Sequence, residues 1–162
     1  MTLGAVRTLV VAALLGVVPL ATAAQSTLPL PRFVSLRSDM VNVRTGPGRQ
    51  YPIVWVFVRE GLPVEVIAAF GTWRKVRDID GAEGWVHQNL LSGDRHAVIV
   101  GDVRTLTRTP ELASVPVVQA EPGVVARLLN CTPAWCRLDV GGRKGWLPRE
   151  QIWGVYPTET VN

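Results

Sequence analysis

A chain of 162 residues has room for one or two small domains. Its 17 basic and 13 acidic side chains are mixed in sign with no basic run, which describes a solvated surface and excludes a nucleic-acid footprint. Its only histidines, His87 and His96, lack the four closely spaced ligands that zinc requires, so neither a metal site nor a cofactor is expected.

Residues 1–23 read as a secretory signal peptide. Arg7 is the only charge, residues 9–20 are apolar apart from Gly16 and Pro19, and Ala21-Thr22-Ala23 offers the small side chains of a cleavage site. The apolar run is shorter than the ~20 residues of a spanning helix. Cleavage after Ala23 or Ala24 is expected, with no cysteine nearby for a lipid anchor. The remaining chain carries 16 basic and 13 acidic residues, a net charge of +3, and no second long apolar run. A periplasmic or secreted protein without stable membrane insertion is therefore expected.

Residues 24–32 form a Pro-containing linker. Leu28-Pro29-Leu30-Pro31 favours an extended, polyproline-like strand. Tethering sets its effective concentration near millimolar (~1 mM), so it reads either as a plain linker or as a ligand for the protein's own aromatic groove.

From Phe33 the composition is all-β. Strands are predicted over 33–36 and 40–44, followed by a glycine-containing loop, Thr45-Gly46-Pro47-Gly48. Buried strands are predicted over 53–58 and 64–70, then a hairpin, then a 3-10 turn over 87–91. Ser92-Gly93-Asp94-Arg95 marks a boundary, after which the plan recurs. Strands are predicted over 97–100, 104–108, 115–119 and 124–129, with a second hairpin and a counterpart of the 3-10 turn over 149–153. The Gly-Trp pairs at 84/85 and 145/146 mark a duplicated small domain. The predicted units are residues 33–93 and 94–156, with a tail over 157–162. Each is about 60 residues, near the lower limit for a lone core, so a shared interface lined by Trp153 and Tyr156 is expected.

Facing pairs in an antiparallel hairpin have a constant index sum, and side chains alternate faces. In the second hairpin a Gly141-Gly142 turn places Cys136 opposite Leu147 and Arg137 opposite Trp146. In the first, a three-residue Asp80-Gly81-Ala82 turn places Val76 opposite Val86 and Arg77 opposite Trp85. Both hairpins then have one aliphatic face, turned to the core, and one Trp/Arg face.

The ordered set Asn42-Val43-Arg44-Thr45-Gly46-Pro47, Tyr51-Pro52, Trp73-Arg74-Lys75-Val76 and Gly84-Trp85-Val86 resembles the bacterial SH3-like (SH3b) domains. The second unit keeps Trp135 and Gly145-Trp146, but Thr107-Arg108-Thr109-Pro110 lacks the loop glycines. The resemblance implies an all-β fold of two tandem, strongly bent β-barrels with almost no α-helix. It also implies a non-catalytic binding or targeting module of the cell envelope, often acting on peptidoglycan or on peptides. Envelope cysteine peptidases that carry such modules keep their Cys/His pair in a separate catalytic domain, for which these residues leave no room, so no enzyme is expected.

Six tryptophans admit two readings: they complete two undersized cores, or they form a recognition surface. On the second reading the ligand-binding candidates are Tyr51, Trp73, Arg77 and Trp85 in the first unit, and Trp135, Arg137 and Trp146 in the second. Exposed indoles stack on sugar rings or grip prolines, and an arginine alongside adds ~0.5–1 kcal/mol of cation–π attraction. The expected partner is peptidoglycan or a Pro-containing envelope peptide. The alternative is a structural or assembly subunit that docks one envelope protein.

Cys131 and Cys136 flank Thr132-Pro133-Ala134-Trp135. A four-residue hairpin loop sets them opposite each other, and the exported compartment preserves disulfides, so a Cys131–Cys136 bridge is expected. It braces a corner that Gly71-Thr72 closes more tightly in the first unit.

Overall fold

The computed structural model describes residues 28–162. The expected signal peptide, its expected cleavage site and the first residues of the expected linker lie outside them.

The first sheet comprises β1 (Arg32–Leu36), β2 (Val41–Arg44), β3 (Ile53–Phe57), β4 (Pro63–Phe70), β5 (Trp73–Arg77), β6 (Glu83–His87) and β7 (Leu91–Ser92). The second comprises β8 (His96–Ile99), β9 (Arg104–Thr107), β10 (Pro116–Ala120), β11 (Val125–Cys131), β12 (Trp135–Val140), β13 (Arg143–Pro148) and β14 (Ile152–Trp153). Helix among the described residues is limited to the 3-10 turns Gln88–Leu90 and Arg149–Gln151, each ahead of its sheet's last strand. The spatial orders are β3-β2-β6-β5-β4-β1-β7 and β10-β9-β13-β12-β11-β8-β14. These are the same order displaced by seven strands, the tertiary form of the repeated Gly-Trp hairpin.

The expected barrels do not form. Each unit is an open, seven-stranded antiparallel sheet. In the first, β1 spends both of its edges on β4 and β7, so β3 and β7 stand at opposite ends with no strand joining them. Register shifts between Val66 and Ala68 and between Leu128 and Asn130 bend the long strands β4 and β11 at equivalent places without closing the sheet.

One core lies on each sheet. Val34, Leu36, Val41, Val43, Val64, Val66, Val76 and Val86 interlock in the first, and Ile99, Leu106, Leu128, Leu138, Leu147 and Ile152 in the second. Strand alternation supplies these sets directly. β1 breaks the alternation, because Phe33 and Ser35 are buried as well as Val34 and Leu36. The second unit covers that outer face. Phe33 meets Trp153 edge-on at 5.0 Å and Tyr156 at 4.7 Å between ring centroids, and Ser35 Oγ lies 3.0 Å from His96 Nδ1. Arg59 donates to Gly123 O at 2.7 Å across the same seam. The interface expected around Trp153 and Tyr156 is present. Residues 157–162 return to the second sheet, where Val161 pairs with Cys131 and is buried.

Three local expectations need correction. Residues 53–58 do not form a buried strand: β3 is an edge, and Ile53, Val54, Val56 and Val58 are exposed. The run 64–70 is buried only through Val66, and Phe70 at its end is exposed. In the first hairpin Val76 lies opposite Gly84, not Val86, and Arg77 opposite Glu83, not Trp85. The connection is a loop pinned by Asp78, whose Oδ1 accepts from the N–H of Asp80 at 3.0 Å and of Ala82 at 2.8 Å. A slip of two residues preserves side-chain parity, so Val76 and Val86 stay in the core and Trp73 and Trp85 stay outside.

Candidate functional site

β5 and β6 set Trp73, Lys75 and Arg77 beside Glu83, Trp85 and His87 on one outward face. Both indoles are half-buried. Trp73 faces His87 with ring centroids 5.3 Å apart and planes at 87°. Lys75 faces Trp85, and its Nζ lies 2.6 Å from Glu83. That hydrogen bond is the main reason the Glu83 carboxyl is held below its ordinary range. Arg77 turns away from both indoles. Its Nε and Nη2 donate to Glu65 Oε2 at 2.9 and 2.6 Å, which raises the guanidinium pKa further. Arg77 therefore supplies no cation–π contact to this face. The arginine paired with Trp85 in the sheet is Arg44, its Cα partner across β2 and β6.

Arg44 also fixes the glycine-containing loop. Its Nη1 donates to Tyr51 O at 2.7 Å and to Arg49 O at 3.0 Å. Gly46 is required there, because a Cβ at that position would lie 2.5 Å from the Tyr51 ring. Tyr51 and Trp85 thus flank Arg44, while Trp73 lies diagonal to Trp85 on the hairpin.

The second unit repeats the face in poorer form. Arg137 faces Trp146 as predicted, and Trp135 faces Pro148. Gly141 and Gly142 both adopt the positive φ, 56° and 87°, that their two-residue turn demands. Arg137 is exposed, and Trp135 lines a shallow groove of about 270 Å³ with Leu112, Pro116 and Pro148. No ring contact joins the two aromatic faces among the described residues.

Cys131 and Cys136 are bonded to each other as strand partners, with Thr132 N–H donating to Trp135 O at 2.8 Å across the loop. Cys136 is fully buried in the core. Both thiols of the chain are therefore withdrawn from nucleophilic chemistry. His87 accepts the Asn89 N–H within its own turn, and His96 is engaged at the seam. No helix of the described residues is long and apolar enough to cross a membrane.

The residues that sequence reasoning missed are the charged partners at the seam, Glu65, Arg95 and Glu159. Tyr156 Oη donates to Glu65 Oε1 at 2.6 Å, and burial followed by that carboxylate pushes the phenol pKa upward. The Arg95 guanidinium stands 6.0 Å from the Phe33 ring and pairs with Glu159. The available signal was Glu65 itself, a charge inside the apolar run Val64-Glu65-Val66. Leu28 and Pro29 lie along this seam, not over Tyr51, Trp73 and Trp85.

A family model described as "Bacterial SH3 domain" matches residues 37–93 and again residues 106–154. Among curated proteins, the "Putative N-acetylmuramoyl-L-alanine amidase YrvJ" of Bacillus subtilis (strain 168) is 27% identical over 128 residues, covering 72% of this chain. The chain spans only 24% of that relative's length. Among solved structures, NlpC2 from Trichomonas vaginalis is 11% identical with a TM-score of 0.37, over 82% of this chain and 51% of its own. An NlpC/P60 family protein from Bacillus cereus is 13% identical with a TM-score of 0.34, over 75% of this chain and 55% of its own.

Proposed function

The chain belongs to the bacterial SH3 domain family, and from that premise we propose that it is a non-catalytic binding module of the bacterial cell envelope whose outward β5–β6 face recognises peptidoglycan. The observation that carries this reading is the position of Trp73 and Trp85. Both are held off the core by strand parity and left half-exposed on a rigid hairpin. Lys75 is paired with Glu83 and Arg77 with Glu65, so the face offers flat apolar rings beside one cation without an ion pair among the described residues, Arg44, whose guanidinium is held by the carbonyls of Arg49 and Tyr51. Such a face suits the apolar side of a sugar ring or a proline. The name of the Bacillus subtilis relative favours the wall polymer, because N-acetylmuramoyl-L-alanine is a sugar joined to an amino acid. The amidase activity in that name belongs to a protein about four times longer than the shared region, and is not carried over. The leader-like residues 1–23 support a periplasmic or secreted location.

Sedimentation with purified sacculi tests the proposal. The protein should co-sediment, and W73A/W85A should lose about 2 kcal/mol of affinity, roughly 30-fold, as expected for indoles at the centre of a contact. Equal sedimentation of the two proteins would remove the aromatic face from the reading, and capture by a Pro-rich peptide but not by sacculi would replace the ligand. The alternative, a subunit docking one envelope protein, draws on a different feature. β3 is an unpaired edge whose exposed Ile53, Val54 and Val56 suit strand addition by a partner.

A further inference from the structure

We propose that the groove along the seam between the two sheets is a second binding site, which takes the carboxylate of a short peptide whose adjoining side chain is apolar. The groove has a volume of about 750 Å³ and is walled by four arginines, Arg32, Arg37, Arg74 and Arg95, against one carboxylate, Glu159.

Two of the arginines are committed. Arg95 pairs with Glu159, its Nη2 donating to Oε2 at 3.1 Å and to Gly154 O at 2.7 Å. Arg74 is buried, and its Nη1 and Nη2 donate to Gly71 O, Trp73 O and Gln88 Oε1 at 2.6–2.9 Å. The other two are not. Half-buried Arg32 makes one long bond, from Nη1 to Pro29 O at 3.5 Å. Exposed Arg37 directs Nε and Nη2 at one carbonyl, Leu91 O, both at 3.3 Å. Neither makes an ion pair among the described residues. A guanidinium carries five N–H donors in a planar fork that matches a carboxylate, so both retain unused donors. Burial, and then the charge of Arg74, lower the pKa of Arg32. An entering anion relieves that crowding.

The rest of the lining argues for a peptide over a bare oxyanion. Leu28, Phe33 and Leu91 give an apolar wall, and the exposed Asn89 adds a carboxamide to the lining. Most of the groove, with Arg32, Arg37 and Arg74, is built by the first unit, and the packing of the second against it adds Arg95 and Glu159. It contains neither Trp73 nor Trp85, so it stands or falls independently of the aromatic face.

The test is a titration of the full chain, as exported, with N-acetyl-Ala-Leu, whose free carboxylate makes it acidic, with neutral N-acetyl-Ala-Leu-amide and with inorganic phosphate, followed by amide chemical shifts and calorimetry. The acidic dipeptide should shift Arg32, Arg37 and Asn89, and the neutral one should not. R32Q and R37Q should each weaken binding about tenfold or more, the loss of one charge-assisted contact. R143Q, an equal change of charge on the exposed β12–β13 hairpin, should bind normally, as should W73A/W85A. R32Q breaks only one long hydrogen bond, so its fold survives and its result is interpretable. Equal binding of the neutral dipeptide, phosphate binding as tightly with the same shifts, or undiminished binding by R32Q and R37Q would each overturn the proposal.

Discussion

Tyr156→Phe removes a single oxygen from the contact that ties the second unit to the first. The ring keeps its place against Phe33, 4.7 Å between centroids, and only the 2.6 Å hydrogen bond to Glu65 Oε1 is lost. A hydrogen bond to a charged acceptor contributes ~1.5–3 kcal/mol. Glu65 keeps Arg77 on its other oxygen and Tyr156 is only partly buried, so the loss should fall at the low end, about 1.5 kcal/mol. For a chain of this size that corresponds to a fall of about 3–6 °C in Tm. Glu65→Gln should cost more, because it also takes the charge from under Arg77. Urea denaturation of Y156F, E65Q and the double variant gives the coupling energy, expected above about 0.5 kcal/mol for residues in contact. An additive double variant, with coupling inside the ~0.3 kcal/mol scatter of independent sites, would refute the view that this contact joins the units.

Glu159 links stability to pH. Burial presses its carboxyl pKa up, but the hydrogen bond from Arg95 and the Tyr156 N–H outweigh burial and leave it below the ordinary 4.5. A depressed folded-state pKa means stability is complete above the unfolded value and declines as pH falls through the folded one. Melting curves from neutral pH into the acid range should therefore fall less steeply below pH 4.5 for E159Q than for the parent. Removing the disulfide, whose loop closes over a sequence separation of 5, should cost about 2 kcal/mol in the chain-entropy account, read as a lower urea midpoint under reductant. Intact mass of the unreduced protein should be two hydrogens lighter than the reduced form. Gly145→Ala should destabilise by about 1–3 kcal/mol, since its Cβ would stand 2.7 Å from Leu106 Cβ and 3.2 Å from Thr107 O, and a thermal melt unchanged from the parent would count against that packing.

The features legible in sequence are those governed by local rules. Period-two alternation placed Val76, Val86, Leu138 and Leu147 inside and the hairpin tryptophans outside, because parity survives even the two-residue slip that the Asp78-pinned loop imposes. Two adjacent glycines determined the second turn and its register, and the spacing of Cys131 and Cys136 determined their pairing. Tertiary structure alone decided what depends on strands far apart in the chain. The run 53–58 is as apolar as a core strand, but it is exposed because no strand pairs with its outer edge, and composition carries no record of sheet order. The sheets stay open for the same reason, since β1 is taken on both sides by β4 and β7. Arg77, placed by hairpin counting opposite Trp85, is drawn instead to Glu65, a carboxylate that Tyr156 of the other unit also holds. The arginine-walled seam gathers residues from 32 to 159, and no local pattern brings such groups together; packing of one sheet against the other does.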